Sequence, residues 1–267
     1  MKRLVVNADD FGFTRDVNQG IIEAHRNGIL TATTLMAAGS TLKSAAFDDA
    51  VKLARENPAL DMGVHLVLVG EAGFPPTIAQ LIQALALGRI RIYDELQTQV
   101  RRVLDAGLRP THLDTHKHTH LLPPVLSAVA RISEEFAIPW VRRPFDFPYT
   151  PEGISLGKRV TSHAFSVVRG RFARVLAQHG CRSTDHFAGF QITGRYDAAA
   201  LVRLIHSLPE GSTEFMCHPG VCGDELRAAG TRLKESREQE LRALCSPEVR
   251  AALIEAGVAL VSYRELI

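Results

Sequence analysis

The chain has 267 residues, of which 46% are hydrophobic and 22% charged, and its formal net charge is +2. That is a globular composition with ample material for a core and no charge surplus to favour nucleic acid. Four scattered cysteines without a C-x-x-C pair read as reduced thiols. No apolar run approaches the roughly 20 residues of a membrane span, and none near Met1 resembles a signal peptide, so a cytoplasmic location is expected.

In chain order, residues 4–6 read as a buried strand whose C-terminal end delivers Asp9 and Asp10. A helix over 17–27 stops at Gly28, and a strand follows at 31–36. Residues 44–57 are helical, with Ser44 as N-cap and Pro58 as the stop. A strand over 62–69 carries His65. Two helical patterns, 78–87 and 95–106, precede a strand at 111–115. A helix over 125–136 leads to a strand at 140–143. The second half repeats the alternation more loosely: a helix at 198–208, a strand at 214–217 ending in His218-Pro-Gly220, and a late strand at 259–262. Strands alternating with helices predict parallel βαβ units. About seven of them predict an α/β fold, a closed or nearly closed barrel, in one domain over 1–267 with insertions near 70–95 and 144–197.

The densest chemistry lies in Thr111-His-Leu-Asp-Thr-His-Lys-His-Thr-His120, where four of the eleven histidines fall within nine positions. Neutral imidazole is a common metal ligand. Asp9, Asp10, His65, His116, Arg142 and His218 all fall at or just beyond predicted strand ends, the face on which α/β barrels carry their sites. A hydrolytic metal centre needs about three protein ligands and an open position. Asp10, His65 and His116 supply a carboxylate and two imidazoles from three strands. Asp9 is then the candidate general base and His218 the candidate general acid. Arg142 or Arg143 can orient Asp9 or stabilise developing charge. Adjacent strand residues point to opposite faces, so both carboxylates are expected past the strand end, where Gly12 permits a turn. His112 reads as structural, while His118 and His120 are candidates to bind substrate or orient ligands. Trp140, Phe145, Phe74, Phe147 and Tyr149 can stack on a sugar or fill the core.

At these residues the sequence resembles the YdjC-like carbohydrate deacetylase family. The matching motifs are Asn7-Ala-Asp-Asp-Phe-Gly12, Gly63-Val-His-Leu66, the histidine run and Glu214-Phe-Met-Cys-His-Pro-Gly220. The resemblance implies an irregular TIM-like barrel and N-deacetylation of amino sugars, with Asp10, His65 and His116 on the metal, Asp9 as base and His218 as acid. The segments Val141-Arg-Arg-Pro-Phe-Asp-Phe-Pro148 and His186-Phe-Ala-Gly-Phe-Gln-Ile-Thr-Gly194 resemble the hopanoid-biosynthesis-associated branch, which implies an N-acetylglucosaminyl hopanoid as substrate. A chito-oligosaccharide deacetylase shares the motifs. A phosphoesterase, a non-haem iron enzyme and an inactive sugar-binding module remain open on the same ligand set. The donor set suits one divalent ion, zinc first, with cobalt, nickel, iron or magnesium as alternatives.

Ala164, Phe165, Val168, Phe172, Val175 and Leu176 recur at helical spacing beside Lys158, Arg159, Arg169, Arg171, Arg174 and Arg182. Such a helix either faces the core or lies on an anionic membrane, so peripheral contact with the inner membrane is an expectation alongside an amino-sugar or glycolipid substrate. A homodimer is left open by the sequence.

Overall fold

Parallel pairing organises the whole fold. The computed structural model describes residues 1–38, 45–71, 73–149 and 168–266. Its elements run β1 (Lys2–Phe11), α1 (Arg15–Asn27), β2 (Ala32–Met36), α2 (Ala45–Glu56), β3 (Asp61–Leu66), α3 (Ile78–Ala86), α4 (Ile92–Asp105) and β4 (His112–Thr115). A 3-10 turn (His116–Leu121) leads into α5 (Pro123–Glu135), β5 (Trp140–Val141), α6 (Arg169–Gln178), β6 (His186–Ala188), α7 (Ala198–Ser207) and β7 (Gly211–Cys217). The chain closes with α8 (Asp224–Ala228), α9 (Glu235–Leu244), α10 (Pro247–Glu255) and β8 (Val258–Leu260).

The sheet order is β5-β4-β3-β2-β1-β7-β6, with β8 added to the N-terminal half of β1, and every pair is parallel. Parallel bridges from Trp140 to Arg182 and from Asp146 to Phe187 join the two edges. The sheet is therefore curled into an irregular TIM-like barrel, as expected. Strands covered on both faces read as near-continuous apolar runs, and residues 4–8 of β1, apolar but for Asn7, are all buried. In α1, Thr14 caps the first turn by accepting from Val17 N, and Val17, Ile21 and Ala24 turn one stripe into the core.

Several boundaries differ from the sequence expectation. β1 runs on through Asp9 and Asp10 to Phe11, so the carboxylates lie on the strand and not past it. β3 ends at Leu66 because the Gln99 side chain takes over the next residue: Val67 N donates to Gln99 Oε1 and Gln99 Nε2 donates to Val67 O, both at 2.8 Å. β5 is only two residues long, and β6, α8, α9 and α10 were not foreseen. Ser44, the expected cap, lies outside the described residues.

The basic helix divides differently from a membrane-lying one. Phe172 and Leu176 of α6 are buried, Val168 and Val175 pack half-buried on the core, and Phe172 meets Phe145 edge-on at 5.3 Å. The apolar stripe is thus core, while Arg169, Arg171 and Arg174 are exposed. Lys158, Arg159, Ala164 and Phe165 lie outside the described residues. No described helix is long and apolar enough to cross a membrane.

Asp146 holds the barrel seam by accepting from the amides of Phe190 at 3.2 Å and Gln191 at 3.0 Å. Burial nonetheless pushes its carboxyl up to about 6, against 3.8 in the unfolded chain. The folded state binds this proton more tightly, so the stability it contributes is complete below the unfolded value and is lost as pH rises towards 6. Asp146→Asn cannot titrate. In urea unfolding, the variant should gain about 3 kcal/mol relative to the parent between about pH 4 and 7; a constant difference would return Asp146 to the ordinary carboxylate range.

Candidate active site

The two carboxylates reach one cavity because β1 is irregular where they sit. Pairing with β2 shifts register between Ala8 and Phe11, and Asp10 has φ 71°. This left-handed residue breaks the strand's two-residue alternation, so Asp9 and Asp10 both line the cavity. Gly12 follows at φ 87°, and a Cβ there would lie 3.0 Å from Leu35 Cδ1 and 3.3 Å from Met36 O. Its amide donates to Asn18 Oδ1 at 2.7 Å, which ties the turn to α1.

Three side chains converge beside that turn. His65 Nε2 lies 3.2 Å from His116 Nδ1, and Asp10 Oδ1 lies 3.4 Å from each of these nitrogens. His65 and Asp114 are register partners on β3 and β4. The His65 Nδ1–H donates to Asp114 Oδ1 at 2.7 Å, which leaves Nε2 as a lone-pair donor. Asp10 Oδ2 takes Arg237 Nη2 at 2.5 Å, but the buried Oδ1 has no hydrogen bond. A buried carboxylate oxygen left bare between two imidazoles is costly unless a cation fills the gap. Burial lowers the pKa of His65, yet Asp114, Asp9 and Asp10 outweigh it and push it up to about 9. The field at this spot therefore favours positive charge. Burial would raise Asp10, but Arg237, His116 and His65 hold it well below the ordinary value. Five buried carboxylates (Asp9, Asp10, Asp114, Glu214, Glu240) stand around two buried guanidiniums (Arg142, Arg237), so the donor set and the charge balance both fit a divalent ion.

Arg142, just past β5, is buried under the site. It donates to Asp9 Oδ1 at 2.6 Å, to Asp9 Oδ2 at 2.7 Å and to Glu214 Oε1 at 2.6 Å, and pairs with Asp114 Oδ2 at 2.6 Å. Burial would raise the Asp9 pKa, but Arg142 first, then His65 and His218, bring it well below normal. Arg142 does not line the cavity and so acts by positioning Asp9.

His218 ends β7. Its amide donates to Glu240 Oε2 at 2.6 Å, and its Nε2 stands 3.8 Å from Asp9 Oδ2. Burial lowers its pKa although Asp9 and Glu240 oppose this, so the resting imidazole is neutral. Glu240 also accepts from Gly194 N and from Tyr196 Oη.

The cavity measures about 580 Å³ and is lined by Asp9, Asp10, His65, His116, His118 and His218, with Arg237, Glu71, Phe13 and Phe190 around them. His118 is the one expected substrate contact that lines it. Its Nδ1 is buried without a partner, and its ring meets Phe187 and Phe190 at 6.1 and 5.7 Å. Lys117 and His118 adopt φ 53° and 52°, a left-handed kink that aims His116 and His118 into the cavity.

Four expected substrate contacts do not line the cavity. His120 is wholly buried, joined to Thr115 Oγ1 and the Arg142 carbonyl. Arg143 donates to the Asp185 carbonyl. Phe145 is core against Phe172, and Trp140 packs with Val5, Ala32, Tyr263 and Leu266 beside the start of β4. The residue after a strand end and the ones beside it point in different directions, and spacing alone did not assign them. His112 is structural as read: it bridges Thr111 Oγ1 and Asn7 Oδ1 and stacks on Tyr263.

Arg237 and Glu240 were not singled out from the sequence. Both lie on α9, whose charged run Glu235-Ser-Arg-Glu-Gln-Glu-Leu-Arg242 carries no apolar stripe. The available signal was positional: 237 and 240 fall on the helical face of buried Leu244.

The model of the YdjC-like protein family matches residues 3–255. A carbohydrate deacetylase of Brevibacillus brevis is 32% identical over 280 residues, covering 99% of each chain. One from Geobacillus stearothermophilus is 31% identical, over 98% of this chain and 96% of its own. Among solved structures, a candidate cellobiose-phosphate cleavage protein from Enterococcus faecalis superposes with TM-score 0.75 at 25% identity, covering 99% of this chain and 98% of its own. A lactam utilization protein from Thermus thermophilus, covering 98% of this chain and 100% of its own, shares the fold alone, at TM-score 0.54 and 15% identity. A family match across nearly the whole sequence, together with full-length relatives above 30% identity, establishes that this chain belongs to the YdjC-like family.

Proposed function

We propose that the protein is a metal-dependent hydrolase that removes the N-acetyl group from an N-acetylglucosamine-type sugar. The observation that carries this reading is the bare Asp10 Oδ1 between His65 Nε2 and His116 Nδ1, with the second carboxylate of Asp9 in the same cavity. A mere sugar binder needs no such pair. The carbohydrate deacetylases to which the chain is similar support the substrate class. Asp10, His65 and His116 would hold one divalent ion, zinc by its donor set. When bound, such an ion polarises the scissile carbonyl and acidifies the attacking water.

The protein's own residues supply the proton traffic. Asp9, fixed bidentately by Arg142, takes the proton from the water as its oxygen adds to the acetyl carbon. His218, neutral at rest and 3.8 Å from Asp9, receives that proton and passes it to the sugar nitrogen as the C–N bond breaks. Acetate and a free amine are the products. His118, neutral because burial lowers its pKa well below normal, lines the cavity and presents its ring to the sugar.

The finer substrate reading is an N-acetylglucosaminyl hopanoid. It rests on segments 141–148 and 186–194, of which Phe190 and Thr193 line the cavity and Asp146 braces the backbone at 190 and 191.

Asp9→Asn should lower turnover about 100- to 10,000-fold while leaving metal content unchanged; an active variant would remove Asp9 as the base. Asp10→Ala and His65→Ala should each abolish stoichiometric metal by elemental analysis, and retained metal would overturn the ligand set. Acetyl loss followed by mass spectrometry, on N-acetylglucosaminyl bacteriohopanetetrol and chitobiose in parallel, decides the substrate. Loss from the hopanoid alone is expected. Loss from chitobiose alone keeps the reaction and overturns the lipid substrate, and loss from neither with zinc, cobalt, nickel or magnesium overturns the deacetylase reading.

A further inference from the structure

Helix α3 presents an apolar face to solvent at the cavity mouth. Three of the five large hydrophobic side chains exposed among the described residues, Ile78 (40%), Ile82 (48%) and Leu87 (54%), belong to this helix and its cap. From Gly73 to Gly88 the sequence has no ionisable side chain, in a chain that is 22% charged. Only Leu81 is fully buried, and Leu85 is packed half-buried on the core. Ile78, Ile82 and Ala86 recur at i, i+4 and i+8 along one edge of the exposed side, and Leu87 leaves its other edge at the helix end, with the uncharged Ala79 and Gln83 between them.

That face is continuous with the cavity, because Ile78 lines its rim. Exposed Lys117 and Arg232 line the same opening, with half-buried Glu71 as the acidic residue between the core of the site and the rim, and exposed Arg89 follows the far end of the helix. A nine-residue helix with three aliphatic side chains is too small to supply the ~1,200 Å² of a stable protein interface. Shallow insertion of a few aliphatic side chains beside basic residues is, by contrast, how peripheral proteins hold an anionic bilayer.

We propose that α3 docks the protein on an anionic lipid bilayer. Ile82 and Leu87, with Ile78 at the rim, enter the boundary between headgroups and acyl chains. Arg89, Lys117 and Arg232 meet the lipid phosphates, and the cavity mouth is held at the membrane surface. The docking element is α3 and not α6, whose apolar stripe is buried. This inference goes beyond the reaction read for the cavity and does not depend on it.

Co-sedimentation of the full chain with phosphatidylglycerol–phosphatidylethanolamine vesicles tests the proposal. The parent should bind, and Ile82→Glu/Leu87→Glu should bind about tenfold or more weakly, since each substitution forfeits burial of an aliphatic side chain. Equal binding by the double variant, or none by the parent, overturns it. So does a parent dimer in light scattering that the double variant abolishes while vesicles bind neither, since a second copy would then cover the face. Leu87→Trp guards against a folding defect: its emission should shift to the blue on adding vesicles, and an unmoved spectrum also overturns the proposal. The native Trp140 packs with Tyr263 at 5.8 Å, away from this face.

Discussion

A buried guanidinium surrounded by carboxylates is the constraint on which the site depends. Arg142 reaches Asp9 on β1, Asp114 on β4 and Glu214 on β7 from the end of β5. Removing any of these charges from water costs several kcal/mol, and the cost is offset only when the geometry satisfies all of them together. One planar side chain therefore fixes the relative positions of four strand ends. Asp114, so held, orients His65, and Asp9, so held, faces His218 at 3.8 Å. The arginine touches neither the cavity nor the three converging donors, yet through Asp114 it sets the angle of His65, and through Asp9 the carboxylate that faces His218.

Helix α9 completes what the barrel strands begin. Arg237 takes the oxygen of Asp10 that points away from the imidazoles, and Glu240 anchors the His218 amide, Gly194 N and Tyr196 Oη. The consequence is a division of charge. Asp9 and Asp10 are held ionised by guanidiniums, whereas burial keeps His118 and His218 neutral. Lone pairs and anions thus face the cavity together, an arrangement suited to a cation.

The three donors that converge, Asp10, His65 and His116, stood out in the sequence because each carries its chemistry in its side-chain type and each falls near a strand end, where a barrel gathers distant parts of the chain. The alternation of apolar runs and helical stripes was enough to anticipate a parallel curled sheet. Substrate contacts were less legible. His118 and His120 are two residues apart on paper, but the left-handed backbone at Lys117 and His118 sends one to the cavity and the other to Thr115 and the Arg142 carbonyl. Trp140 and Phe145 are aromatic for packing, and nothing local distinguishes a ring that meets a sugar from one that meets another ring.

By itself, then, the sequence determined the strand-helix alternation, the family motifs and the set of groups able to hold a metal and move a proton. Those properties are local: they follow from residue type, periodicity and short spacing. Only the tertiary structure decided that Asp9 and Asp10 share a cavity across a strand irregularity, that Arg142 serves as a brace, and that Arg237 and Glu240 belong to the site. Each of these depends on contacts between residues up to 227 positions apart. Whether a charged helix face is solvated or buried against a carboxylate is settled by the partner that arrives from elsewhere in the chain, and no local pattern records it.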